Sequence, residues 1–110
     1  MRYSPVLLVA FALFANAQTT TTSRADYCTS ISSYAERIML ARQAGQPKES
    51  QLQSLALYFT QESEQAAAAE LIDEAWKGKQ ASTERRQQIK TNRFRENVEE
   101  DCLKNKIFPN

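Results

Sequence analysis

The chain has 110 residues, with 14 Lys and Arg, 13 Asp and Glu, and no histidine. This nearly neutral balance gives no global field that would select nucleic acid or a membrane as partner. The lack of histidine removes the usual general base near neutral pH and the commonest metal ligand. We therefore expect no catalytic residue, no cofactor, no metal site and no nucleic-acid partner.

Residues 1–17 have the pattern of a signal peptide. Arg2 gives a basic start, 6–14 form a short apolar core, and an A-x-A cleavage motif ends at Ala17. This pattern predicts cleavage before Gln18 and an exported protein, either periplasmic or secreted. The apolar core is too short to span a bilayer, which takes roughly 20 residues in a helix. We expect a soluble mature chain without membrane insertion, and its length suits one domain.

The mature chain is predicted to begin with a flexible leader at 18–25, which is rich in threonine. A helical domain is predicted to follow over 26–105. Two glycines and few prolines provide too few turn-forming residues for a β protein. Its first predicted helix runs over about 26–44 and carries an apolar arc. Gly45, followed closely by proline, predicts the end of this helix.

Three more helices are predicted. The second covers 47–59, and the third covers 62–76 and ends at Gly78. Ser82 is the expected N-cap of the fourth, which runs to about Asn105. Short loops between four helices indicate an all-α fold, a small antiparallel four-helix bundle.

The two cysteines, Cys28 and Cys102, are predicted to form a disulfide. Export favours pairing, and an alternating bundle brings the start of the first helix and the end of the last to the same end. A redox-active pair is the alternative, but it requires close spacing and an electropositive setting. We therefore expect a structural bond that closes the bundle.

The segments "IMLARQAG", "AAELIDEAW" and "FRENVEEDC" together resemble a group of small exported bacterial and prophage proteins with the pattern C…IMxARQxG…DxA(Y/W)…FRxxV…C. Trp76 replaces the usual tyrosine, and "KGKQAS" replaces a proline-basic turn. The group has no assigned activity, so the resemblance supports the fold and leaves function open. The matching positions are Cys28, Ile38, Met39, Ala41, Arg42, Gln43, Gly45, Asp73, Ala75, Phe94, Arg95, Val98 and Cys102.

Two charged features could carry a function. One is a basic stretch over 77–95, which could bind an anionic envelope lipid but is more typical of a solvated helix face. The other is the carboxylate set Glu96, Glu99 and Glu100, whose helical spacing could serve a small cell-wall or glycan hydrolase. The leading hypothesis is a non-enzymatic periplasmic accessory or interaction module whose partner is an envelope or periplasmic protein. No feature specifies an oligomeric state. The basic residues are Lys77, Lys79, Arg85, Arg86, Lys90, Arg93 and Arg95.

Arg42 stands in the apolar arc of the first helix, one turn from its end. Its stem can lie on apolar surface while the guanidinium reaches a carbonyl or carboxylate. We predict a structural strut with Asp73 as the first-choice partner and Trp76 and Glu84 as further neighbours. The alternative is an anion-binding site at Arg42.

The C-terminal tail, 106–110, carries two apolar residues, Ile107 and Phe108. We predict that they fold back over the end of the bundle. The alternative is that they present an apolar surface to a partner.

Overall fold

The computed structural model describes residues 23–108. The predicted signal peptide and cleavage site lie outside these residues, as do 18–22 and 109–110. Within 23–108 the chain is all-α, and this confirms the predicted fold class. No described helix is long and apolar enough to cross a membrane. The elements are α1 (Arg24–Gln43), α2 (Lys48–Ser54), a 3-10 turn (Leu55–Leu57), α3 (Glu62–Lys77) and α4 (Glu84–Leu103).

Helix α1 begins two residues before its predicted start. Ser23 is the N-cap, and its hydroxyl accepts a hydrogen bond from the backbone N–H of Asp26 at 3.2 Å. Ser caps satisfy one of the unpaired N–H groups in the first helical turn. The described end of the predicted flexible leader, 23–25, is therefore cap and first turn instead.

Helices α1 and α4 end in the same way. The N–H of Gly45 bonds to the carbonyl of Arg42, and Gly45 has a φ of 81°, as predicted for a helix-ending glycine. Asn105 takes the equivalent place after α4, with a φ of 60° and an N–H bond to Cys102. Asparagine tolerates this left-handed conformation better than most residues. Helix α4 therefore ends at Leu103 rather than at Asn105.

The second predicted helix is shorter than expected and turns before its end. After Ser54 the chain tightens into the 3-10 turn, and the N–H groups of Tyr58 and Phe59 both bond to the carbonyl of Leu55. The turn places Phe59 in the core, 4.9 Å from the ring centroid of Tyr34. The aromatic packing of Phe59 thus overrides continuation of the helix.

The N-cap of α4 is Thr83 rather than the predicted Ser82. The Thr83 hydroxyl accepts a hydrogen bond from the N–H of Arg86 at 3.2 Å. Ser and Thr cap helices by the same chemistry, so the residue type was predicted correctly and the register was off by one.

Cys28 and Cys102 form a disulfide, which confirms the prediction. Their Cα atoms lie 5.6 Å apart, and both residues are fully buried. The bond joins α1 to α4, which is also the most extensive helix contact. Closing a loop across 74 positions stabilises the folded state by about 4 to 5 kcal/mol in the chain-entropy model.

Helix α1 is the centre of the domain. It contacts both α3 and α4, whereas the backbones of α3 and α4 hardly approach each other. Ile38 of α1 and Ile72 of α3 are almost completely buried. Burying such a side chain contributes about 1.5–3 kcal/mol. The arrangement leaves an open groove between α3 and α4.

The tail packs over the end of this assembly. Phe108 is 2% exposed, and its ring lies 5.4 Å from Phe59 and 6.4 Å from Tyr27. Ile107 packs beside the core as well. The predicted packing of both residues is confirmed.

Candidate functional site

Arg42 connects α1 to the end of α3. It donates hydrogen bonds from Nε and Nη2 to the carbonyl oxygen of Gly78, at 3.2 and 2.8 Å. Its guanidinium carbon lies 5.9 Å from the ring centroid of Trp76, within the range of a cation–π contact. The last carbonyls of a helix lack intrahelical partners and attract cations. Arg42 therefore has the position of a structural support, the predicted strut, between α1 and the end of α3.

The predicted partner of Arg42 was wrong. Asp73 forms an ion pair with Lys48 of α2 instead, and more than half of its side chain is exposed. Glu84 starts α4 and borders a shallow groove beside Leu40. Because α3 ends near Arg42, the guanidinium bonds to a backbone carbonyl there rather than to either carboxylate. The structure brings together Arg42 and Trp76 and leaves Asp73 and Glu84 apart.

Gln43, next to Arg42, is a second link that the sequence prediction did not assign. Its side chain is buried, and its Oε1 accepts a hydrogen bond from the N–H of Ala81 at 2.7 Å. The Gln43 carbonyl accepts another from Gln80 Nε2 at 2.9 Å. A buried amide requires such partners. The sequence signal for this link was a glutamine on the buried side of the last turn of α1. Arg42 and Gln43 together hold the loop between α3 and α4 against α1.

The groove between α3 and α4, here called the acidic groove, has an apolar floor. The small side chain of Ala67 on α3 leaves space that a larger residue would fill. The volume of the groove is about 430 Å³. A concave apolar surface with a few polar groups around it is the usual form of a binding site. The floor is formed by Leu71, Phe94, Val98 and Ile107.

Four carboxylates surround this floor: Glu70, Glu74, Glu100 and Asp101. Lys77 pairs with Glu74 at 3.2 Å, and Lys104 pairs with Glu100 at 2.8 Å. Both pairs are exposed, and such pairs are weak and readily exchanged. Among the described residues, neither Glu70 nor Asp101 takes part in an ion pair. Lys106 also acts electrostatically on Glu100, so four carboxylates and three lysines leave a small net negative charge around the apolar floor.

The environment of the predicted carboxylate set argues against acid catalysis. The hydrogen bond from Lys104 holds the pKa of Glu100 below its ordinary value. A general acid that works near neutral pH needs a raised pKa. Glu96 and Glu99 lie 3.7 and 4.0 Å from the guanidinium of Arg95. These carboxylates are arranged as charges on a helix surface.

The basic stretch includes one face of α4, on which Lys90 also donates a hydrogen bond to the carbonyl of Lys79 at 2.7 Å. Arg86, Lys90 and Arg93 surround Ile89, which is 40% exposed. These four positions follow a helical i, i+3, i+4, i+7 spacing. They form a surface here called the basic face, an apolar residue ringed by three cations.

A second concave surface, beside Tyr34, has a volume of about 280 Å³, and its lining residues contact one another. Arg37 lies over the ring of Tyr58 at 4.8 Å, and Tyr27 donates a hydrogen bond to Glu64 at 2.8 Å. Burial, with a smaller effect of Glu64, raises the pKa of Tyr27 to about 12. These contacts account for the cluster of aromatic residues here, and no ligand is needed to explain it.

Arg24 is the other residue that the sequence prediction missed, because it fell in the predicted leader. Its guanidinium donates to the carbonyl oxygens of Cys102, Ile107 and Phe108. Arginine suits this role because its planar fork reaches several acceptors at once. Arg24 thus holds the C-terminal segment against the start of α1.

Comparison with protein-family models, with curated proteins and with solved structures gave no match to this chain.

Proposed function

We propose that this protein is an exported, non-enzymatic interaction module that binds a cationic amphipathic helix of an envelope or periplasmic protein in the acidic groove. The observation that carries the proposal is the groove itself, with its apolar floor and carboxylate rim. A helix that lays an apolar stripe into a hydrophobic groove is a recurrent mode of recognition. The acidic rim selects a helix with Lys or Arg beside that stripe.

Two features of the chain support export. The N-terminal pattern of 1–17 is that of a signal peptide. The Cys28–Cys102 disulfide is of a kind that persists in oxidising compartments. An oxidising envelope compartment accounts for the signal pattern and the disulfide together.

The floor and rim contribute differently to binding. Phe94 is partly buried in the free protein, so a bound helix would remove its remaining apolar surface from water, a favourable change. Glu70 and Asp101 would meet cations of the ligand. Charges at the edge of an interface mainly set its specificity and association rate, and salt weakens them.

The test is a binding titration with a fluorescent peptide of about 15 residues, long enough to form a helix, built from Leu and Lys with the Leu residues on one face. We expect saturable binding that weakens with salt, and no binding of a matched Leu–Glu peptide. Replacing Glu70→Gln and Asp101→Asn together should weaken binding about tenfold, since two rim charges are lost. The matched control, Glu49→Gln with Glu62→Gln, removes two exposed charges elsewhere and should bind normally. Equal affinity for both peptides, or equal affinity of both double variants, would overturn the proposal.

A further inference from the structure

The chain carries its own candidate ligand for the acidic groove. The basic face of α4 has an exposed apolar residue, Ile89, ringed by Arg86, Lys90 and Arg93. This is the amphipathic and cationic pattern that the groove is suited to bind. We propose that the protein self-associates head to tail, with the basic face of one copy seated in the acidic groove of the next. The inference rests on the proposed function of the groove.

The two surfaces are complementary in charge and shape. The groove has carboxylates around an apolar floor, and the basic face has cations around an apolar knob. In this docking Ile89 would meet the floor near Phe94, and Arg86 and Arg93 would meet Glu70 and Asp101 of the neighbour. A groove of about 430 Å³ admits a branched side chain together with the aliphatic stems of adjacent cations.

The overall charge of the molecule does not oppose this contact. The chain has 14 basic and 13 acidic residues and a formal net charge of +1 at pH 7, which is too small to hold copies apart. A net charge near zero favours association. The charges are separated instead into two patches, which attract one another when copies meet in the right orientation.

The two surfaces follow one another along α4. The basic face uses the first half of α4, over 86–93, and the groove uses its second half, over 94–101, together with α3. Each copy thus offers one of each surface, and the contact joins two different patches. Copies joined head to tail by one such contact build a ring or an open chain.

The experiment is sedimentation velocity on the wild-type protein and two charge-reversed variants. The face variant carries Arg86→Glu and Arg93→Glu and keeps the groove. The groove variant carries Glu70→Lys and Asp101→Lys and keeps the basic face. Melting curves of both variants establish that they are folded.

We expect the wild type to form larger species with rising concentration at about 0.05 M salt and to return to monomer at about 0.5 M, where screening is strong. Each variant alone should stay monomeric. Their equimolar mixture should associate again, because the intact groove of the face variant meets the intact basic face of the groove variant, and the two reversed surfaces also carry opposite charges. A wild-type protein that stays monomeric, or a mixture of folded variants that stays monomeric, would overturn head-to-tail association. If the Leu–Lys peptide still binds in that case, the proposed function of the groove stands and only the self-association proposal is rejected.

Discussion

Arg24 donates two hydrogen bonds to the carbonyl oxygen of Cys102, from Nε at 3.2 Å and from Nη2 at 2.7 Å. The two residues are 78 positions apart. The same guanidinium reaches the carbonyls of Ile107 and Phe108 at 3.2 and 2.7 Å. One side chain at the start of α1 therefore fixes both the end of α4 and the tail beside it.

Replacing Arg24→Met should lower the free energy of unfolding by about 2 kcal/mol, since hydrogen bonds to a charged group contribute about 1.5–3 kcal/mol. Arg24→Lys should recover only part of the loss, because an ammonium group lacks the planar fork. Urea unfolding measures both effects. Arg93→Met, which changes an exposed arginine of α4, is the control and should leave stability nearly unchanged. An Arg24→Met protein as stable as this control would show that the contact contributes nothing.

The disulfide should account for a large part of the stability. Replacing Cys28→Ser together with Cys102→Ser should remove about 4 to 5 kcal/mol. For a domain of this size that corresponds to a fall in Tm of about 20 °C or more. Calorimetry of the oxidised and double-serine proteins gives the comparison. A fall of only a few degrees would mean that the bond adds little to the packing of α1 on α4.

The strut at Arg42 is expected to act through a backbone carbonyl. Arg42→Met should cost about 1–2 kcal/mol because the hydrogen bonds to Gly78 are lost. Asp73→Asn should change stability by less than about 0.5 kcal/mol, since its ion pair with Lys48 is partly exposed to solvent. The two effects should add in the double variant. A coupling energy well above zero in this double-mutant cycle would restore Asp73 as the partner of Arg42.

Tyr27 should make stability fall at alkaline pH. Its pKa is about 12 in the folded protein against an ordinary 10.0. Below the lower value both states keep the proton, and the contribution is intact. Between the two values the unfolded chain loses the proton while the folded protein keeps it, so unfolding becomes easier as pH rises. Tyr27→Phe should make this decline shallower in urea titrations over that range. Identical slopes for the two proteins would contradict the raised pKa.

The sequence was most informative where a single residue type dictates local geometry. Gly45 predicted the end of α1 because glycine accepts a positive φ without strain. The two cysteines predicted their own pairing because the order of four helices brings them to one end. Helix boundaries that depend on tertiary contacts were harder to predict from the sequence. Arg24, in the first turn that Ser23 caps, is held by carbonyls from the other end of the chain, and α2 is shorter than predicted because Phe59 packs against aromatic rings in the core.

The candidate site was less predictable than the fold. The positions that carry the sequence resemblance lie mostly in structural contacts: Gln43 holds a loop, Ala75 is buried, and Arg95 lies 4.0 Å from Glu36. The acidic groove depends on how far α3 and α4 stand apart, and that distance follows from their separate packing on α1. Periodicity within one helix carries no such information.

Amide chemical-shift mapping shows whether a cationic amphipathic helix binds in the acidic groove. On titration of the ¹⁵N-labelled protein with the Leu–Lys peptide, we expect the largest shifts around Leu71, Phe94 and Val98. We also expect that Ala67→Leu, which fills the groove without changing charge, removes them. Shifts centred on the aromatic surface around Tyr34, or unaltered binding by Ala67→Leu, would contradict binding in the groove.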